Sequence, residues 1–157
     1  MNFNNFTIKS QEAVQQAIQL VQNRGQQAIE AEHLLAGVLK VGENVTNFLF
    51  QKLGMNGPQI ANVLDKQIAS LPKVTGGEPY LSRTSNEILQ KSVELSKGLG
   101  DEYVSLEAML LALLSVKSTA STILKDAGMN EKDLRTAINE LRQGQKVTSQ
   151  SSEDTYQ

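Results

Sequence analysis

The spacing of hydrophobic positions predicts a protein made almost entirely of helices. From residue 7 to residue 24, apolar residues recur every three or four positions and form one face of a helix. Thr7 is a candidate N-cap for this helix, and Gly25 fits the left-handed position that commonly ends one. Residues 31–40 are apolar on nearly every side, which is typical of a buried helix. Further helices are predicted at 44–53 and 58–70.

The same succession of segments occurs a second time, 75 residues further along the chain. Aligning Phe6 with Leu81 gives eight identities in 34 positions. The first helix of this second unit begins after the candidate cap Ser82, and others are predicted at 106–116, 119–127 and 131–142. We therefore expect an all-α fold in which two tandem four-helix repeats, related by a pseudo-twofold axis, form one compact domain. The buried helices 31–40 and 106–116 are expected to pack on each other at its centre.

Changes in composition divide the chain into four segments. Residues 1–71 form the first repeat and residues 81–143 the second. Between them, residues 72–80 contain two prolines and a Gly-Gly pair, which marks a connector. Residues 144–157 are polar and are expected to be a flexible linker, because they cannot bury enough apolar surface to fold alone.

Composition argues against several functional classes. The net charge of −2 gives no basic surface for nucleic acid or for an anionic membrane. The chain has no cysteine, and we find neither a signal peptide nor an apolar run near the roughly 20 residues of a membrane span, so we expect a cytoplasmic protein. It contains no phosphate-binding loop and a single histidine, His33. We therefore assign it no catalytic residue, no metal and no cofactor.

One set of polar residues is not generic. Glu32 and Glu107 occupy equivalent places in the first turn of the two buried helices, and Thr7 and Ser82 are equivalent caps. Asp101 lies just before the second buried helix. Two interpretations stay open. These residues cap helices and make structural hydrogen bonds, or they anchor the backbone amides or cationic groups of a ligand.

Several short motifs between about residue 6 and residue 144 carry a resemblance to a known family. They are Phe6-Thr7 at the first helix, Glu32-His33-Leu34-Leu35 at the second, and Glu107-Ala108-Met109-Leu110 in the second copy. These motifs resemble the repeats of the Clp N-terminal domain. The runs at 71–74, 100–105 and 146–156 resemble, more specifically, the ClpB-type AAA+ disaggregase chaperones.

The resemblance implies that the chain is the mobile N-terminal domain of an ATP-driven hexamer that threads aggregated proteins through a central pore. ATP and Mg²⁺ would belong only to AAA+ modules absent from this chain, toward which residues 144–157 would lead. Thr7, Asp101 and Glu107 match family positions that are implicated in handling substrate.

The resemblance also extends to the ClpC branch, which recognises phosphorylated arginine. There the matching positions are Thr7 with Glu32 and Ser82 with Glu107. This sequence departs from the pattern, because serine replaces threonine at Ser82 and Ala108 replaces the histidine of the motif.

An apolar groove along the first helix of each repeat is the expected client-binding surface. Each first helix presents a wide apolar face, which one short central helix need not cover in full. The candidate residues are Ile8, Val14, Ile88, Leu89 and Leu95, with Tyr80 and Tyr103 at the rim. The competing interpretation is that they are core. Expected partners are unfolded or aggregated client proteins and the remainder of a hexameric chaperone, and the alternative function is adaptor docking or pore gating without client binding.

Overall fold

Eight α-helices account for most of residues 2–155, which are the residues that the computed structural model describes. Two strands of two residues each, β1 (Ala28–Ile29) and β2 (Tyr80–Leu81), pair in parallel. A short 3₁₀ helix covers Ser152–Thr155. The expected all-α fold class is confirmed. The helices are α1 (Ile8–Asn23), α2 (Ala31–Val41), α3 (Glu43–Leu53), α4 (Gly57–Ala69), α5 (Arg83–Gly98), α6 (Leu106–Ser115), α7 (Thr119–Asp126) and α8 (Glu131–Arg142).

Short-range interactions fix the ends of the helices close to the predicted positions. The Thr7 hydroxyl accepts a hydrogen bond from the Ser10 amide at the start of α1, and the Ser82 hydroxyl accepts one from Ser85 at the start of α5. Gly25, which follows α1, has a φ of +68°, a left-handed conformation that a side chain would strain. The predicted caps are therefore confirmed.

The two most apolar helices lie at the centre of the fold. Every residue of α6 from 106 to 114 is buried, and α2 contacts both α1 and α6. The approach of α2 to α1 is so close that a Cβ atom on Gly37 would lie 2.1 Å from the carbonyl oxygen of Ala13. Glycine is therefore required where these two backbones cross.

The residue that precedes the first helix of each half is hydrogen-bonded to the other half. The Thr7 amide donates to the Val104 carbonyl (3.0 Å), and the Ser82 amide donates to the Ile29 carbonyl (3.1 Å). These two contacts are related by the 75-residue offset, as an internal duplication with a pseudo-twofold arrangement predicts. The start of α1 consequently lies against the second half, and the start of α5 lies against the first.

The polar C-terminal segment, expected from its composition to be a flexible linker, packs against the rest of the domain in this structure. Val147 is fully buried and Glu153 is only 6% exposed. The Ile8 amide donates to the Gln150 carbonyl (2.8 Å) and the Glu102 amide donates to the Val147 carbonyl (2.8 Å). The segment is held by polar groups at helix ends, which need no apolar core of its own. Residues 156 and 157 lie outside the described part.

Within residues 2–155, no single helix is long and apolar enough to cross a membrane. The pair α6 and α7 reaches the required length and apolarity only when the two are taken together, and they are bent by 95° relative to each other.

Candidate functional site

A buried ionic cluster lies where α5, α6 and α8 meet. Arg142, in the last turn of α8, donates from Nη2 (2.8 Å) and Nε (3.2 Å) to Oε2 of Glu107. Its Nη1 donates to Oδ1 of Asp101 (3.2 Å) and lies 3.0 Å from Oδ2. The Arg142 side chain is 3% exposed, and the two carboxylates are fully buried. One guanidinium is therefore shared between two buried carboxylates, so its single positive charge cannot neutralise both when both are ionised.

Local structure brings these groups together. Asp101 follows the left-handed Gly100 (φ +77°) just after α5. Ser105 caps α6 through the Ala108 amide and also accepts from Arg142 Nη2 (2.9 Å). Burial raises the pKa of Glu107, and Arg142 opposes that rise. The positive end of α6 and the negative end of α8 favour the acid and the base found there.

The C-terminal segment adds a third acid to this region. Glu153 Oε2 accepts hydrogen bonds from the Thr7 hydroxyl (2.6 Å) and from the Leu106 amide (3.1 Å). Burial, and then the charge of Glu107, raises the pKa of Glu153 to about 7. Among the described residues, the Oε1 atoms of Glu107 and Glu153 have no hydrogen-bond partner. One carboxylate thus accepts hydrogen bonds from groups at the N-terminal ends of both α1 and α6.

An open cleft of about 530 Å³ separates α4 from α7. Ile60 and Ile123 are nearly buried within it, whereas Val63 is 42% exposed. Side-chain amides and hydroxyls also line the cleft, from Asn56, Gln59, Gln67, Thr119 and Thr122. The cleft combines apolar surface with uncharged hydrogen-bonding groups.

Comparison with known proteins now identifies the family. Residues 5–127 match the family model described as the Clp repeat (R) N-terminal domain. The chain belongs to the Clp N-terminal domain family. It is similar to the chaperone protein ClpB of Bacteroides thetaiotaomicron, with 78% identity over 157 residues that cover 100% of this chain and 18% of that protein. The chain therefore spans about a fifth of this curated relative, and the resemblance to the N-terminal domain of ClpB-type chaperones is confirmed.

Solved structures show the same fold. The Hsp104 N-terminal domain from Candida albicans superposes with a TM-score of 0.84 at 21% identity, covering 96% of this chain and 99% of that one. A complex of the ClpV N-domain with a VipB peptide gives a TM-score of 0.69 at 22% identity, covering 87% of this chain and 86% of that one.

In this Clp N-terminal domain, the three residues singled out through the family resemblance lie in one region. Thr7 joins Asp101 and Glu107 through the C-terminal segment and through the cross-repeat contact with Val104. Sequence reasoning missed Arg142, Ser105 and Glu153. Arg142 could have been found, since it follows Ile138 by four positions and so falls on the apolar face of its helix, where a cation requires an acidic partner.

The second polar site, expected at Glu32 and Ser82, has a different composition. Glu32 is 6% exposed and burial raises its pKa, but the position equivalent to Asp101 is Gln26. Gln26 Oε1 lies 2.7 Å from His33 Nε2, and Gln26 Nε2 donates to a backbone carbonyl. The Thr7 amide donates to a carbonyl of the second half, and the Ser82 amide donates to a carbonyl of the first.

The expected groove along the first helices is closed for three of its residues. Val14 is 3% exposed, and Ile88 and Leu89 are fully buried. The physical reason is that α2 covers the apolar face of α1 and α6 covers that of α5. Ile8 (49%) and Tyr80 (55%) are exposed, and Leu95 and Tyr103 are half-buried, so a role for these four stays a prediction.

The acidic side chains of these sites already have partners within the protein. No group of three or more His, Asp or Glu side chains within residues 2–155 is arranged to hold a metal ion. The acids of the ionic cluster are occupied by Arg142, Thr7 and backbone amides. The arrangement can hold protein segments together and can take up a proton.

Proposed function

We propose that this chain recruits client proteins for a ClpB-type chaperone, and that extended apolar segments of unfolded or aggregated proteins bind in the cleft between α4 and α7. The observation that carries the proposal is the exposed apolar side chain of Val63 in a cleft that the half-buried Met55 and Ala127 also line. The chain itself has no catalytic role, and ATP hydrolysis belongs to other modules of a hexamer.

The lining of the cleft suits many different sequences. Val63, with the half-buried Met55 and Ala127, offers contact to apolar side chains, whatever their order in the client. The amides of Gln59 and Gln67 can both donate to and accept from the backbone of an extended segment, since each amide carries both kinds of group. Hydrogen bonds to a client backbone do not depend on its side chains, so recognition would be broad.

Charge in the cleft adds a mild preference. Among the described residues that line it, the one charged side chain is Asp126. An acid at the rim attracts basic residues that flank an apolar segment and repels acidic ones. Clients that combine apolar stretches with lysine or arginine would therefore bind best.

Binding to one domain would be weak, because an unfolded client loses conformational entropy when it is held. Six domains on one hexamer would raise the effective concentration of sites for a client that is already bound at one of them. Weak individual sites also release a client readily, which suits a domain that passes its client onward.

The test is an NMR titration of the ¹⁵N-labelled chain with reduced, carboxymethylated α-lactalbumin, which stays unfolded in buffer. We expect amide shifts in α4 and α7, and their loss in Val63→Asp. The matched control is Val74→Asp, which places the same charge on an equally exposed valine (47%) outside the cleft lining. Shifts confined to the surroundings of Ile8 and Tyr80 would instead favour the remaining part of the first-helix groove.

Adaptor docking is the second candidate function. The observation that favours it is that a similar domain, the ClpV N-domain, has been solved in complex with a VipB peptide. A cleft used in this way would bind a defined partner peptide and ignore unfolded α-lactalbumin. An absence of shifts at high α-lactalbumin concentration would therefore leave adaptor docking or pore gating as the better function.

A further inference from the structure

The C-terminal segment returns to the place where the chain begins. Val147 is fully buried, its amide donates to Asp101 Oδ1 (3.0 Å), and its carbonyl accepts from the Glu102 amide. The Gln150 carbonyl accepts from the Ile8 amide, and the Gln150 side chain donates to the Asn4 carbonyl (3.0 Å). The segment is therefore held at several points along its length.

Another of these points is Glu153. Its carboxylate binds the Thr7 hydroxyl and the Leu106 amide, and so it satisfies donors at the N-terminal ends of α1 and α6 together. These hydrogen bonds favour the ionised carboxylate, but burial and the charge of Glu107 outweigh them, since the pKa of Glu153 is raised. Docking of the segment consequently depends on one side chain from the segment and on Thr7 from the domain.

Other interactions oppose docking. The Glu153 carboxylate is buried near Glu107, and like charges at such a place repel each other. Apart from Val147, the docked side chains are polar, and their hydrogen bonds exchange with water at a small net gain. The balance between these contributions favours a segment that can leave its site while the helices stay folded.

We infer that residues 146–155 form a reversible latch on the N-terminal ends of α1 and α6, and that Thr7 and Asp101 act by holding this latch. The inference does not depend on whether clients bind between α4 and α7. In a protein that continues beyond residue 157, release would free ten residues (146 to 155), which span at most about 35 Å when extended. The latch would therefore set how far the domain reaches from the following module.

Several charged groups surround Glu153. Lys9 of α1, Lys40 of α2, Glu43 of α3 and the neighbouring Asp154 line the cleft that Glu153 borders. From the other side, Glu107 of α6 faces it, and Arg142 of α8 binds Glu107. Burial, and then the charge of Glu107, raises the pKa of docked Glu153 to about 7 from the ordinary 4.5, against hydrogen bonds that lower it. Docking is therefore strongest below pH 4.5 and weakens as the pH rises to about 7, by roughly two orders of magnitude.

Two amides report the latch directly. The Ile8 and Glu102 amides donate to carbonyls of the segment, whereas the amide of Leu111 lies in the middle of the buried helix α6, where we expect exchange to require global unfolding. Hydrogen exchange measured by NMR on the 157-residue chain therefore separates release of the latch from global unfolding. We expect Ile8 and Glu102 to exchange faster than Leu111, and their protection relative to Leu111 to fall as the pH rises from 4.5 to 7.

Three substitutions sharpen the test at pH 7.5. Glu153→Ala should lower the protection of Ile8 and Glu102 by at least about tenfold, the effect of losing one hydrogen bond to a charged acceptor. Glu153→Gln imitates the protonated acid, so it should raise that protection and abolish its pH dependence. Asp154→Asn, at the exposed neighbouring position, is the matched control and should change neither.

The role assigned to Thr7 is tested in the same way. Thr7→Ser keeps the hydroxyl and should retain the protection of the Ile8 and Glu102 amides, whereas Thr7→Val should lower it as Glu153→Ala does. Two results would overturn the inference. Exchange of Ile8 and Glu102 at the rate of Leu111 in every variant would show a permanently fixed segment, and exchange without protection in the unmodified chain would show that the segment does not dock.

Discussion

The buried guanidinium of Arg142 offers the sharpest test of how this domain is held together. Arg142→Met keeps most of the volume of the side chain but removes the only cation that contacts Asp101 and Glu107 among the described residues. Both carboxylates would then remain in a place from which water is excluded. We expect a large loss of stability for a single substitution, because the charges left behind have no compensation.

The magnitude follows from the geometry. Removing one partner of a buried ion pair typically costs about 3–5 kcal/mol. Glu107 can relieve part of this cost by taking up a proton, since burial already raises its pKa, so we expect about 3 kcal/mol at pH 7. For a domain of this size, such a loss lowers the melting temperature by roughly 10 °C.

The assay is urea unfolding followed by circular dichroism at 222 nm. The matched control is Arg135→Met on the same helix, where the ion pair with Glu131 is exposed and the change should stay within about 0.5 kcal/mol. Combining Arg142→Met with Glu107→Gln should recover part of the loss, because it removes one of the stranded charges. A loss below 1 kcal/mol for Arg142→Met would refute the reasoning that these buried charges compensate one another.

Two further predictions concern His33 and the crossing of α1 and α2. Burial, and then the charge of Arg24, lowers the pKa of His33 to about 4, so the free energy of unfolding should fall as the pH drops from 6.5 toward 4, where only the unfolded chain takes up the proton. Because the chain has one histidine, its NMR titration is unambiguous, and a midpoint near 6.5 would contradict this. Gly37→Ala should destabilise the domain by about 1–3 kcal/mol in urea unfolding, because its Cβ would meet the Ala13 carbonyl. Gly98→Ala, where the added Cβ meets nothing within 4 Å, should instead stabilise it by about 0.5 kcal/mol; equal effects at Gly37 and Gly98 would exclude the close crossing.

Helices and their ends could be predicted from this sequence because the information is local. A repeating apolar face needs only a few turns to become evident, and caps such as Thr7 and Ser82 act on amides three residues away. The glycine stop after α1 is equally local, since the left-handed conformation of Gly25 belongs to that residue alone. These features do not depend on what packs against them.

Exposure could not be predicted in the same way. Val14 and Ile88 lie on apolar helical faces, as the residues of a binding groove would. Buried core residues of a helix lie on the same kind of face, so the pattern does not distinguish the two. What distinguishes the two is whether another helix covers the face, and that depends on contacts between distant parts of the chain. The surface that does stay open, at Val63, lies between helices of different halves, α4 and α7, and no single helix predicts it.

The packing of the C-terminal segment could not be predicted from its composition either. Low hydrophobicity predicts disorder when a segment must build its own core. Residues 146–155 avoid that requirement because they use donors that other elements leave unsatisfied, among them the Leu106 amide at the start of α6. Only the position of these donors in the folded domain makes Glu153 a structural residue.

Positions related by the 75-residue offset carry different chemistry in the two halves of the domain. Hydrogen bonds between the halves bring Thr7 to the second half and Ser82 to the first, so each half has a hydroxyl beside the start of its central helix. In the second half, Asp101 and Glu107 then require a cation, and α8 supplies Arg142. In the first half, the equivalent of Asp101 is an amide that binds His33, whose lowered pKa keeps it neutral. Similar backbone positions therefore hold an arginine-bound acidic cluster on one side, where the C-terminal segment docks. On the other side they hold the Gln26–His33 pair, with Glu32 at the position equivalent to Glu107.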